Sequence, residues 1–84
     1  MLRISEDDSS GEVINFRVEG QAVGRWVAEI RAACEPFLSK GQRLVLDLNG
    51  VSFADREAVV LFREFRSRGV TLINCSPLLT EQLK

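Results

Sequence analysis

The 84-residue sequence predicts one small α/β domain over residues 1–84, with a mixed and mainly parallel four-stranded sheet covered by helices. Three observations lead to this prediction. The chain begins with two strand-like segments separated by a polar stretch, which is the pattern of a hairpin. Apolar strand-like runs then alternate with segments of helical periodicity, an order that gives parallel strands. The hydrophobic content of 45% and the charged content of 27% are ordinary for a globular domain with one core.

The opening hairpin occupies the first quarter of the sequence. LRIS at 2–5 is a short strand candidate, and EDDSSG at 6–11 is a polar turn that ends in a glycine. EVINFRVEG at 12–20 has the period of a strand, so that every second side chain lies on one face. The apolar face of this second strand consists of Ile14, Phe16 and Val18.

The segment from 21 to 41 has the spacing of an amphipathic helix. Trp26 lies on its apolar stripe, and we expect the indole ring to pack in the core. Pro36 has no amide hydrogen, so the helix should kink or restart there, and Gly41 should end it. The other residues of the stripe are Val23, Val27, Ile30, Ala33, Cys34 and Phe37.

RLVLDL at 43–48 is dense in Leu and Val, as expected for a strand that is covered on both faces. NGVSF at 49–53 is predicted to be the turn that follows this strand. A second helix is predicted from Ala58 to about Arg68, since apolar residues recur there at helical spacing. Its inner stripe consists of Ala58, Leu61, Phe62 and Phe65.

The remaining residues predict a last strand and a short helix. VTLIN at 70–74 has the composition of a strand. In SPLLTEQLK at 76–84, Ser76 is suited to cap a helix whose first position is the following proline. In a sheet of this kind, ligands and partners are expected beyond the C-terminal ends of the strands.

The composition argues against an enzyme. The chain has no histidine, and its two cysteines, Cys34 and Cys75, are too far apart in sequence to form a metal site by themselves. It also has no glycine-rich phosphate loop, so we expect no catalytic residue, no cofactor and no metal. The net charge of −1 does not favour binding to nucleic acid.

The sequence also bears on where the protein works. No apolar run reaches the roughly 20 residues of a membrane span, and the first residues do not have the pattern of a signal peptide. We therefore expect a cytoplasmic protein without membrane insertion. We expect it to be a monomer or a weak dimer.

The stretch FADREAVVLF at 53–62 places three charges at the start of the second helix. Asp55 is a good N-cap, because its carboxylate can accept hydrogen bonds from the first amides of the helix. Glu57 in the first turn is favoured by the helix dipole, whereas Arg56 opposes the dipole, although it can reach either carboxylate. Local physics thus accounts for two of the three charges.

The stretch RLVLDLNGVSFADREAVVLF at 43–62 resembles the signature of the STAS domain, the family named for sulphate transporters and anti-sigma factor antagonists. That signature is an apolar strand, a short turn, and a pattern such as F-x-D-S-S-G that opens a helix. The hairpin at 2–20 and the stretch GVTLINCSPLLTEQL at 69–83 resemble the first and last elements of the family. The resemblance covers nearly the whole chain and implies the STAS fold.

The resemblance also implies roles at the charged stretch. In the family, an aspartate caps the helix, and a Ser or Thr two residues later accepts phosphate from a partner kinase. By position, Asp55 matches the aspartate, and Glu57 stands at the acceptor position without a hydroxyl. Glu57 either holds the site in a phosphorylated-like state by its charge or serves only the helix dipole after loss of regulation. Ser52 is a nearby hydroxyl that could accept phosphate instead.

The function implied by the resemblance is that of a non-enzymatic interaction module similar to anti-sigma factor antagonists. Its partner would be a kinase-like anti-sigma factor. One alternative is an accessory subunit that binds the ATPase subunit of an ATP-driven membrane lipid transporter. Another is a domain that binds a small ligand such as a nucleotide or a lipid. The expected partner-binding residues are Asp55, Arg56, Glu57, Ser52 and Gly24.

Overall fold

The computed structural model describes residues 2–10 and 12–84, without the side chains of residues 7–10. These residues form a four-stranded sheet and three helices. The elements in chain order are β1 (Leu2–Ser10), β2 (Val13–Ala22), α1 (Arg25–Ser39), β3 (Arg43–Ala54), α2 (Arg56–Ser67), β4 (Thr71–Ile73) and α3 (Pro77–Gln82). The strand order is β1-β2-β3-β4, with β1 antiparallel to β2 and the other two pairs parallel. The predicted fold class is confirmed.

The sheet buries one face. Leu44, Leu46 and Leu48 of β3 are fully buried, whereas Val45 and Asp47 between them are only partly covered. The same alternation holds in β2, whose predicted apolar face is confirmed as buried. The prediction that β3 is covered on both faces is therefore wrong. A run rich in Leu and Val does not distinguish one covered face from two, because Val45 is apolar without being buried.

Two strands are longer than predicted. β1 continues through residues 6–10, which were expected to turn, and pairs Ser10 with Val13 after an irregularity in register. Gly11, the predicted end of that turn, lies outside the described residues. β3 continues through residues 49–53, which were also expected to turn. Its pairing with β2 contains two irregularities in register and ends at Ala22 and Ala54. Hydrogen bonding to β2 therefore keeps NGVSF extended in spite of its turn-forming composition.

Helix α1 begins later than predicted and passes through Pro36. Residues 21 and 22 belong to β2, and Gly24 precedes the helix with φ +55°, a conformation that favours glycine. The predicted restart at Pro36 is wrong, because α1 is continuous to Ser39. Proline deprives the carbonyl of Ala32 of its partner, but both residues are exposed, so water can satisfy that carbonyl.

Helix α2 starts two residues earlier than predicted, at Arg56, and its predicted inner stripe is fully buried. Gly69, with φ +91°, follows the end of the helix. In α3 the predicted cap is confirmed, since the Ser76 hydroxyl accepts from the amide of Leu79 at 3.1 Å. Leu79 and Leu83 then join the common core, while Arg66 of α2 donates to the carbonyl of Leu83 at 2.7 Å.

Substitutions at two neighbouring residues of β3 test whether the sheet is buried on one face only. Leu46→Ala should lower the free energy of unfolding by about 2–5 kcal/mol, because it removes buried methyl groups and leaves a cavity. Val45→Ala, on the opposite face, should cost less than half as much, because that face is partly exposed. Urea unfolding of both variants and the wild type measures the difference. Equal losses would mean that a second layer covers the other face in solution.

Candidate functional site

The parallel pairing of β2 and β3 brings the starts of α1 and α2 together. The two strands end side by side at Ala22 and Ala54, and the amide of Asp55 donates to the carbonyl of Ala22 at 3.0 Å. From this point the chain enters α1 through residues 23–24 and α2 through Asp55. The charged stretch at 53–62 and the loop before α1 therefore form one corner at the C-terminal edge of the sheet.

Asp55 ties the two halves of this corner together. One carboxylate oxygen accepts from the amide of Ala58 at 2.9 Å, which confirms the predicted N-cap of α2. The other accepts from the amide of Gly24 at 2.9 Å, directly before α1. Hydrogen bonds from Gly24 and Ala58 hold the pKa of the Asp55 carboxyl below its ordinary value. Both oxygens of the Asp55 carboxylate thus accept hydrogen bonds from the backbone.

The side chains of the next two residues, Arg56 and Glu57, are not engaged in this way. Arg56 and Glu57 occupy the first turn of α2, and both are exposed. Neither side chain has a hydrogen bond or an ion pair with another described residue. The positive end of the helix dipole stabilises Glu57 and destabilises Arg56. The corner therefore presents a free anion and a free cation side by side on a backbone that Asp55 holds in place.

An apolar groove begins at the corner and runs between α1 and α2. Its volume is about 1000 Å³. Val60 of α2 lines it with 56% of its surface exposed. Across from it, Ala28 and Ala32 provide only small side chains on the exposed side of α1, which leaves the space open. We call this the α1–α2 groove; its lining residues are Gly24, Val27, Ala28, Arg31, Ala32, Glu35, Asp55, Arg56, Glu57, Val60 and Leu61.

A network of four charged side chains joins the two helices. Arg31 donates to both carboxylate oxygens of Glu64, at 2.7 and 3.1 Å. Arg68 makes the same bidentate contact with Glu35, donating to its two carboxylate oxygens at 3.0 and 2.9 Å. The Arg68 guanidinium lowers the pKa of Glu35, and Arg31 lowers that of Glu64. These pairs link the two helices, and they occupy Arg31 and Glu35 among the groove residues.

The structure brings together four of the five expected partner-binding residues. Gly24, Asp55, Arg56 and Glu57 all lie at the corner and line the α1–α2 groove. Ser52 does not line it; its exposed hydroxyl donates to the carbonyl of Gly20 at 3.2 Å.

The apolar part of the groove was not predicted from the sequence. Its signals are visible in retrospect, since Val60 is an apolar residue outside the buried stripe of α2. Ala28 and Ala32 are small residues on the polar side of α1.

The two thiols are covered to different degrees. Burial raises the pKa of Cys34 to about 12, which keeps its thiol protonated. Cys75 is half-buried, and burial raises its pKa also. Among the side chains that the structure describes, at 2–6 and 12–84, no three of the metal-binding types lie close enough together to hold an ion. None of the helices described has the length and apolarity needed to cross a bilayer.

Comparison with known proteins adds a likeness in structure. No family model matches the sequence, and no curated protein matches it. A solved structure of the anti-sigma factor antagonist SpoIIAA in its unphosphorylated form matches with a TM-score of 0.78 and 22% sequence identity. The match covers 94% of this chain and 79% of that chain. The chain has the fold of an anti-sigma factor antagonist. The fold implied by the resemblance to STAS domains is thereby confirmed.

Asp55→Ala tests whether one carboxylate organises the corner. It removes the cap of α2 and the bond to Gly24, and we expect the melting temperature at pH 7 to fall by roughly 4–8 °C. Asp55→Asn should lose less, because its amide oxygen can still accept one bond. Calorimetry of the three proteins measures the effect. An unchanged melting temperature for Asp55→Ala would contradict the bridging role.

The paired carboxylates also predict how stability depends on pH. Asp55, Glu35 and Glu64 have pKa values below the ordinary 3.8 and 4.5. As the pH falls below these ordinary values, the unfolded chain takes up protons first, so the free energy of unfolding decreases until the folded carboxylates are also protonated. Urea unfolding between neutral pH and acid should show this decrease. Asp55→Asn should make it shallower, and stability that rises in acid would contradict the assignment.

Proposed function

We propose that the chain is a non-enzymatic regulatory module that binds a protein partner through the corner and the adjoining groove. The observation that carries this proposal is the pair of free, exposed charges of Arg56 and Glu57 next to an open apolar groove. Asp55 holds the backbone beneath them by two hydrogen bonds. Apolar surface supplies binding energy and fixed charges supply selectivity, which is the combination found at protein interfaces.

The likeness in fold and the resemblance in sequence support the proposed partner class. SpoIIAA is an anti-sigma factor antagonist, and the resemblance of the sequence to STAS domains indicates a kinase-like anti-sigma factor as the partner. The ATPase subunit of an ATP-driven lipid transporter is the alternative, because small STAS proteins also serve as its accessory subunit. Either partner would be met in the cytoplasm. Which ATP-binding protein is captured distinguishes the two.

Glu57 determines how such a module would be regulated. It stands where STAS domains carry their phosphate-accepting hydroxyl, so the chain cannot be phosphorylated at that position. A phosphoserine would bring about −1.5 to −2 charges at neutral pH, and the free carboxylate of Glu57 brings about −1 to the same helix start. We infer that Glu57 keeps the corner in a state similar to the phosphorylated one, in which the kinase-like partner is released.

A small-molecule ligand is the second candidate, favoured by the volume of the groove. Pockets for small ligands commonly measure about 300–1,000 Å³ and bury most of the ligand. The groove reaches that volume of about 1000 Å³. However, its wall residue Val60 is more than half exposed, which describes an open surface better than an enclosed cavity.

Replacement of the carboxylate tests the regulatory proposal. Glu57→Ser restores the usual hydroxyl and should capture a kinase-like or transporter ATPase from native lysate that the wild type captures several-fold less. Glu57→Ala should behave like Glu57→Ser in binding, because it also removes the charge. Quantitative mass spectrometry measures the amount of each captured protein on each bait, relative to the wild type. Only the serine variant should gain phosphate at residue 57 when ATP is present.

The matched control is Glu29→Ser, the same substitution at an exposed position of α1 that does not line the groove. It should capture the same proteins as the wild type. If all four baits retain the same ATPase equally, Glu57 does not set the state of the corner. A different result is that no bait retains an ATP-binding protein, while capture of some other protein changes with residue 57. The proposed interaction module is then supported and the proposed partner class is wrong.

A further inference from the structure

Arg56 is an unexpected residue for its position. As the first residue of α2 it opposes the helix dipole, a placement that costs helix stability. No described acidic side chain compensates for it, although Asp55 and Glu57 are its neighbours in sequence. It lines the α1–α2 groove at the corner end. A cation that weakens its own helix and has no partner among the described side chains is best explained by an external anion.

The remaining charges of the groove leave Arg56 as its available cation. Among the groove-lining residues, Arg31 is bound to Glu64 and Glu35 is bound to Arg68. Asp55 is occupied by backbone amides. An occupant therefore meets a free cation and the free carboxylate of Glu57 at one end, and neutralised charges at the other.

The shape of the groove fits a helix. Asp55 joins the starts of the two helices and Arg68 joins their ends through Glu35, so α1 and α2 run parallel. The lining residues of α1 extend from Gly24 to Glu35, which is about 16 Å or three helical turns. A long, open, apolar channel between two parallel helices is the kind of surface that receives the apolar face of an amphipathic helix.

We propose that the α1–α2 groove receives an amphipathic helix of the protein partner, with an acidic side chain of that helix paired to Arg56. The apolar side chains of the helix rest on Val60, Ala28 and Ala32. This inference rests on the proposed function and specifies the chemistry of the partner's contact segment. Because Arg56 stands where the STAS pattern has a small polar residue, the acidic contact distinguishes this chain's partner from one shaped for two serines.

The test uses the full chain as bait for a phage library of peptides of about 14 residues, biased toward helix. Enriched peptides should carry apolar residues at i, i+3 or i+4, and i+7, with Asp or Glu near one end. A peptide that carries this acid should bind Arg56→Glu about tenfold or more weakly than wild type by fluorescence anisotropy. The same peptide with Lys in place of the acid should recover binding to Arg56→Glu. Arg56→Glu should fold, since it replaces an unfavourable charge at the helix start.

Two further variants locate the binding. Ala28→Trp fills the exposed groove without disturbing the core and should abolish binding of every enriched peptide. Arg63→Glu makes the same charge reversal at an exposed position of α2 outside the groove, and should leave the affinities unchanged. Melting curves confirm that each variant is folded.

Several outcomes would overturn the inference. It fails if the library yields no binder, if binders lack the helical spacing, or if Arg56→Glu and Ala28→Trp bind as the wild type does. Decanoate is titrated in parallel; groove-dependent binding of decanoate without peptide binding would assign the groove to a small amphipathic anion. If capture from lysate still depends on residue 57 while the peptides fail, the regulatory module stands and only the helix is excluded.

Discussion

The parallel pairing of β2 with β3, continued to Ala22 and Ala54, is the constraint on which the rest of the structure depends. Each strand is followed almost at once by a helix that must return across the same face of the sheet. Because the strands end side by side, the two helices start side by side and run parallel. The Asp55 carboxylate then joins both starts, since its two oxygens accept from Gly24 and Ala58.

The one-sided core explains why a groove remains between the helices. Buried side chains of the strands face a single helical layer, to which Ile30 of α1 and Phe62 of α2 contribute from their inner faces. The outer parts of the helices do not need to touch to complete the core. Small alanines on α1 leave the space between them unfilled there, while the Arg31–Glu64 and Arg68–Glu35 pairs join them farther along. The space left between the core packing and these ion pairs is the α1–α2 groove.

The corner combines one engaged carboxylate with two free charges. The Asp55 carboxylate accepts from two backbone amides, which holds the geometry of the corner. Its two free charges stand on a fixed helix start, where they lose little conformational freedom of the backbone on binding. The likeness to SpoIIAA places this arrangement on the fold of a known antagonist. Arg56 and Glu57 stand where the STAS pattern has two small hydroxyl-bearing residues, and the partner selected by charge is part of the proposal above.

The sequence by itself determined the order of elements, the buried stripe of α2 and the caps at Asp55 and Ser76, because these depend on neighbours within one or two turns. It also singled out Asp55, Arg56, Glu57 and Gly24. Only the tertiary structure decided that residues 49–53 extend β3, since pairing with β2 outweighs local turn propensity. It alone decided that β3 is covered on one face and that Ala28 faces Val60 across a groove. These features depend on contacts between residues distant in sequence, and a periodic pattern along one segment does not carry that information.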